Sequence, residues 1–214
     1  MRIIGTIAVA AVMTCGAVAA AAAYASTQSS SEPAHSKMVM SMDMNMYGTS
    51  KAATLPASKL ALARVATAKY ANDLNAAKAA GYGILTQKIP GMGYHFINPS
   101  VKGFDVRHPA ILVYERHGDH WQLGALEWVF PKKPAAPPLK GATYGSFPAA
   151  CHYKDGTFVV AASQDACAPN SPQSGVAFNF WHPALVTMHV WIWYPNPAGL
   201  YASMNPLVRP FNGG

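Results

Sequence analysis

The chain has 214 residues, a formal net charge of +7 and only 12% charged residues, with its lysines and arginines scattered. That balance excludes the basic stripe with interleaved aromatics that marks a nucleic-acid partner, and it predicts a mildly basic soluble surface. Beyond the N-terminal apolar run, no stretch is long and apolar enough to hold a stable membrane span.

Residues 1–25 read as a secretory signal peptide. Met1 and Arg2 form a positive start, residues 3–25 carry no charge, and Ala23-Tyr24-Ala25 is a small-x-small site for cleavage before Ser26. The run is rich in alanine rather than leucine or isoleucine, which makes it a weak permanent anchor. Lipid attachment at Cys15 is the other reading, although Val12-Met13-Thr14 before it matches a lipoprotein signal poorly. Cleavage leaves roughly 190 residues, the size of one domain with a tail. The expected location is the periplasm or the cell exterior.

Residues 26–55 read as a disordered tail, because they are polar and short of bulky apolar side chains. Within it Met38, Met40, Met42, Met44 and Met46 recur at every second position. Thioethers are soft donors that suit Cu(I), and His35 adds a harder donor for Cu(II). The bland alternative is a methionine-rich linker that absorbs oxidants through sulfoxide formation.

Residues 56–214 are expected to form a single α+β domain, one long N-terminal helix packed on a mostly antiparallel β-sheet. Pro56 suits a first turn. Leu60, Ala63, Thr67, Tyr70, Leu74 and Ala77 alternate spacings of three and four, which predicts one helix over 56–81 with one face turned to the sheet. Gly81 and Gly83 supply its stop.

From residue 92 the pattern changes to strands rich in Val, Ile, Trp, Tyr and Phe, at 92–97, 110–115, 121–130, 157–162 and 185–194. His117-Gly118-Asp119-His120 reads as a hairpin turn, and Asp155-Gly156 as another. The Pro-rich segments at 131–138 and 195–210 read as loops. Cys151 and Cys167 remain after signal removal, and an even count in an exported chain predicts a disulfide. It closes a loop of about 15 residues, contributing up to about 3 kcal/mol.

Four ionisable residues sit inside apolar strands: His95 in GMGYHFINP, Glu115 in AILVYE, Glu127 in LGALEWVF and His189 in LVTMHVWIWY. A carboxylate in such a strand is costly unless it is paired or holds a metal. With a two-residue turn at Gly118-Asp119, Glu115 faces Gln122 and Ala110 faces Glu127, so the two glutamates point to opposite faces unless a bulge flips the alternation. Two imidazoles and a carboxylate form a metal triad for Zn, Fe, Mn or Cu, with copper or zinc the leading cofactors. His95, Glu127 and His189 are therefore the primary ligand candidates, and Glu115 a secondary one. The bland alternative is that these are core histidines and a paired glutamate.

His108, His117, His120, His152 and His182 are placed in loops or at strand ends, with at most weak chelation across the His117–His120 turn. Trp181, Trp191, Trp193 and Tyr194 read as core packing ahead of ligand stacking. Alternation through residue 194 places Trp191 and Trp193 on the face of His189.

Taken together, GMGYHFINP, RHPAILVYE, LGALEWV and HVWIWYPNPAGLYASMNP resemble a family of uncharacterised exported bacterial proteins. These carry similar G-M-G-Y-H-aromatic, L-x-Y-E, G-x-x-E and H-V-W-x-W-x-x-N-P-x-G segments over roughly residues 60–207. The resemblance implies that His95, Glu115, Glu127 and His189 fall inside recurring segments, and that the methionine series lies outside them. It brings no function with it.

The functional expectation is an exported transition-metal-binding protein for copper handling or tolerance. Its rivals are a small metal-dependent hydrolase or oxygenase using the same ligands, and a metal-free envelope module for a small ligand. No nucleophile elbow, phosphate loop or nucleotide fingerprint points to another enzyme class.

Overall fold

The structure is a computed structural model that describes residues 56–208. The signal peptide, Cys15, His35 and the methionine series therefore lie outside the described residues.

The fold is mostly β, not the α+β arrangement with one long N-terminal helix that the periodicity predicts. Helix α1 spans Pro56–Thr67, a 3-10 turn follows at Ala68–Tyr70, and α2 is the short Leu74–Ala79. The expected apolar face is real, since Ala63, Thr67, Tyr70, Leu74 and Ala77 are all buried. The helix nevertheless breaks, and its backbone shows why. At the break, Ala71 O accepts from Leu123 N of the sheet at 2.7 Å and Tyr70 O accepts from the Tyr114 hydroxyl at 2.7 Å. Asp73 then caps α2 by accepting from Ala76 N at 2.9 Å. Hydrogen bonds to the sheet replace the helical ones, so tertiary structure overrides local propensity.

Among the described residues nine strands follow: β1 Gly83–Ile89, β2 Gly93–Ile97, β3 Ile111–His117, β4 His120–Phe130, β5 Gly145–Phe147, β6 Ala150–Tyr153, β7 Phe158–Val160, β8 Phe178–His182 and β9 Leu185–Val190. They form two antiparallel sheets, one in the order β1-β2-β3-β4-β9-β5 and one in the order β7-β6-β8. The hairpin at Gly118-Asp119 has the expected register, with His117 opposite His120. The Cys151–Cys167 disulfide is formed, with the Cα atoms 5.6 Å apart.

The large sheet buries both faces. One face packs with the helical segment around Tyr114, Leu126, Trp128 and Met188. The other carries Leu85, Ile111, Val113, Ala125 and Trp191. The small sheet is tied to β1 by Gln87 N donating to Gly156 O at 2.7 Å and by His152 Nδ1 donating to Leu85 O at 2.9 Å. Between the sheets lies a cavity of ≈ 340 Å³, whose exposed wall is almost wholly apolar.

Two local departures set which side chains reach that cavity. In β3–β4, Val113 pairs with Ala125 but Tyr114 pairs with Leu123, so Gly124 is an extra residue. This bulge flips the alternation and puts Glu115 and Glu127 on the same face, where the unbulged register separates them. Strand β9 ends at Val190, short of the expected 194. Trp191 stays on the His189 side, whereas Trp193 turns to the helical side and its indole donates to the Thr67 hydroxyl.

Candidate metal centre

Three strands bring the triad together. Glu127 on β4 and His189 on β9 are directly opposed partners in the antiparallel ladder, and such partners share a face. His95 on β2 pairs with Val113, one pleat along the same face. Its ring reaches across β3 to the carboxylate. Gly93 makes the approach of β2 possible. Its φ is +105°, and a Cβ there would lie 2.4 Å from Tyr114 O.

The resulting geometry is compact. His189 Nε2 lies 3.4 Å from Glu127 Oε1, and His95 Nε2 lies 3.7 Å from Glu127 Oε2. One donor atom from each residue fits within a 4.8 Å span, and all three residues are buried. Donors at about 2.0–2.2 Å from a common ion are themselves roughly 3 Å apart, so closure onto an ion needs only small rotamer shifts.

Electrostatics shows what the site lacks. Burial first, and the neighbouring His189 second, push the His95 imidazole down to about 3. Burial also raises the Glu127 carboxyl, while His189 and a hydrogen bond from Thr187 pull it back. Both shifts disfavour ionisation in a dry setting. Glu127 Oε2 and His189 Nε2 are buried with no hydrogen-bond partner. Unfilled capacity of that kind needs a reason, and a bound cation supplies one by favouring both the carboxylate and the neutral imidazole. Thr86 Oγ1 lies 2.9 Å from His95 Nδ1. With Nδ1 protonated toward this partner, Nε2 keeps its lone pair for an ion, the usual support for a metal-ligating histidine. The buried His95–Glu127–His189 group can thus bind a metal, and no particular metal is specified by its donors.

Glu115 lies elsewhere on the same face. It sits four residues along β3 from Ile111, the partner of Glu127, and outside the triad. Its carboxyl is buried 3.6 Å from His117 Nε2, neither oxygen has a hydrogen bond, and burial raises it to about 7. His108 contacts Asp105 on the surface at 2.8 Å.

Three participants escape the sequence reading. Thr86 stands on β1, a strand too short of alternation to be recognised. His152, expected in a loop or at a strand end, lies inside β6, whereas His182 does sit at the end of β8; both are buried. Neither Ala150–Tyr153 (ACHY) nor Phe178–His182 (FNFWH) sustains an apolar-polar alternation, so no periodic signal marks them.

Comparison with models of known families, with curated proteins and with solved structures returns no match. Among the described residues, no helix is long and apolar enough to cross a membrane.

Proposed function

We propose that this chain is an exported transition-metal-binding protein whose ion is held by His95, Glu127 and His189. One observation carries the reading: three strands converge two imidazoles and a carboxylate whose buried atoms are left partly unpartnered. Zinc, iron(II), manganese and copper all accept such donors. A methionine tail would add a soft Cu(I) site, which favours copper handling or tolerance as the role.

The cavity supports a second reading, a small metal-dependent hydrolase or oxygenase. Three protein donors leave coordination positions open, and His95, Glu127 and His189 all line the space between the sheets. Closed structural sites take a fourth protein ligand instead. A bound ion would supply Lewis acidity or redox chemistry there.

Elemental analysis of protein purified from the periplasm tests the main reading. About one equivalent of transition metal is expected, with its loss in His95→Ala and His189→Ala. No stoichiometric metal, or equal metal in the variants, overturns it. Deleting residues 35–47 is expected to remove Cu(I) binding by the tail and leave the triad's ion in place. Assays of hydrolysis and oxygen consumption on the loaded protein separate the enzyme from the carrier.

A further inference from the structure

Across the cavity from the triad, the small sheet holds a second pair of buried histidines, of which His182 lines the cavity and His152 meets it through Nε2. We propose that His152 and His182 form a proton-charged site that receives the anionic end of a compact apolar ligand. The inference stands on the small sheet and does not require a metal on the triad.

The first argument is a proton count. His152 Nδ1 lies 2.9 Å from Leu85 O, and His182 Nδ1 lies 2.6 Å from Pro183 O. A carbonyl oxygen only accepts, so both Nδ1 atoms carry hydrogen. The Nε2 atoms then face each other at 3.0 Å. Ring centroids 5.0 Å apart place the imidazoles end to end rather than face to face. Two neutral rings would oppose lone pair to lone pair. One added proton turns the contact into an N–H···N hydrogen bond and gives the pair a single positive charge.

The second argument is the surroundings of that charge. Phe180 and Phe158 lie nearly parallel to His152, with ring centroids at 4.9 and 5.7 Å, and Phe147 stacks on His182 at 5.2 Å. Aromatic faces attract a cation. Burial opposes it, lowering His152 to about 4 and His182 below its ordinary value. Besides His182, the titratable groups on the cavity wall are His95, Glu127 and His189, all on the large sheet. Strands β1, β5, β7 and β8 bring only apolar or hydroxyl side chains besides His182 itself. The small sheet therefore provides no carboxylate to balance the pair. An anion in the cavity would balance it and raise its proton affinity, so binding and protonation are linked. The apolar walls require an apolar body, and ≈ 340 Å³ limits its size.

The test titrates the purified protein with octanesulfonate, which stays ionised, and with octanol, its uncharged counterpart. Calorimetry is run at about pH 5 and about pH 8, in buffers of different ionisation enthalpy. Octanesulfonate is expected to bind at least about tenfold tighter at the lower pH, with about one proton taken up. Octanol affinity should not change with pH. His182→Gln and His152→Gln should lose the pH dependence and keep octanol binding, whereas His108→Gln, at the surface and away from the cavity, should keep both. Sulfonate binding no tighter at low pH, or a pH dependence that survives in His182→Gln, overturns the proposal. Ring ¹⁵N NMR of the wild-type protein gives a second readout should the variants misfold. Both Nδ1 atoms protonated throughout and one proton shared by the Nε2 atoms are expected; two independent titrations overturn the site.

Discussion

His95 and His189 approach each other on the large sheet with the Glu127 carboxylate between them. On the small sheet His152 and His182 approach each other with their Nε2 atoms in direct contact. Both pairs are buried, and both have an Nδ1 supported by an oxygen partner, Thr86 for His95 and backbone carbonyls for His152 and His182. The carboxylate makes the difference. It supplies the negative charge that holds a divalent ion in a dry site, whereas two imidazoles alone hold one proton at most before like charges meet. One cavity wall is thus suited to a metal and the facing wall to an anion.

Removing the carboxylate should break this contrast most sharply. Glu127→Gln keeps the shape of the side chain and deletes its charge. Taking one partner from a buried charged group costs about 3–5 kcal/mol, so metal affinity should fall by at least about a hundredfold. Competition with a chelator of known affinity measures it. The His152–His182 pair should be unaffected, and a loss of its pH-linked sulfonate binding would mean that the two walls are not separable.

Cutting the disulfide attacks the contrast from the other side. Cys151 precedes His152 on β6, and its partner lies 16 residues on. The Cys151→Ser, Cys167→Ser double variant should lose about 3 kcal/mol of stability by chemical denaturation. Its native state should keep metal affinity within about twofold, since separated sites act additively. A large drop in metal affinity would show that the small sheet shapes the triad.

Thr86→Val tests the support beneath His95. The hydroxyl that meets Nδ1 at 2.9 Å is lost while the volume is nearly kept. Loss of such a partner typically weakens metal binding about 10–100-fold. Unchanged affinity would assign the orientation of His95 to packing alone.

The sequence exposes the triad and hides the rest for a physical reason. His95, Glu127 and His189 interrupt long apolar strands, and a charge among such neighbours is conspicuous whatever the fold. The partner strand of His95 is not visible, because β1 pairs with β2 through two register shifts that blur its alternation. His152 and His182 occupy strands of four and five residues whose sequences, ACHY and FNFWH, do not sustain alternation. The helix from residue 56 is legible as a buried face but not as a broken element. Its break at Ala71 is made by Leu123 and Tyr114, more than forty residues away, and no local window contains them.

Glu115 shows the same limit on a smaller scale. Parity from the Gly118-Asp119 turn separates it from Glu127, and the Gly124 bulge reunites their faces. The bulge is held from outside the hairpin, by Trp193 N and Tyr194 N donating to Gly124 O at 3.2 and 3.1 Å. Burial then lifts the Glu115 carboxyl from its ordinary 4.5 to about 7. The sign follows from proton binding: between these values the folded chain holds a proton that the unfolded chain has released. Stability from this group is full below about pH 4.5 and declines as pH rises through about 7. Glu115→Gln replaces the charge by a neutral amide of similar shape. The variant should match the wild type near pH 4 and exceed it by about 1 kcal/mol or more at pH 8, measured by urea denaturation across the range. Wild-type stability that stays level from pH 5 to 8 would mean that His117, 3.6 Å away, compensates the carboxylate fully.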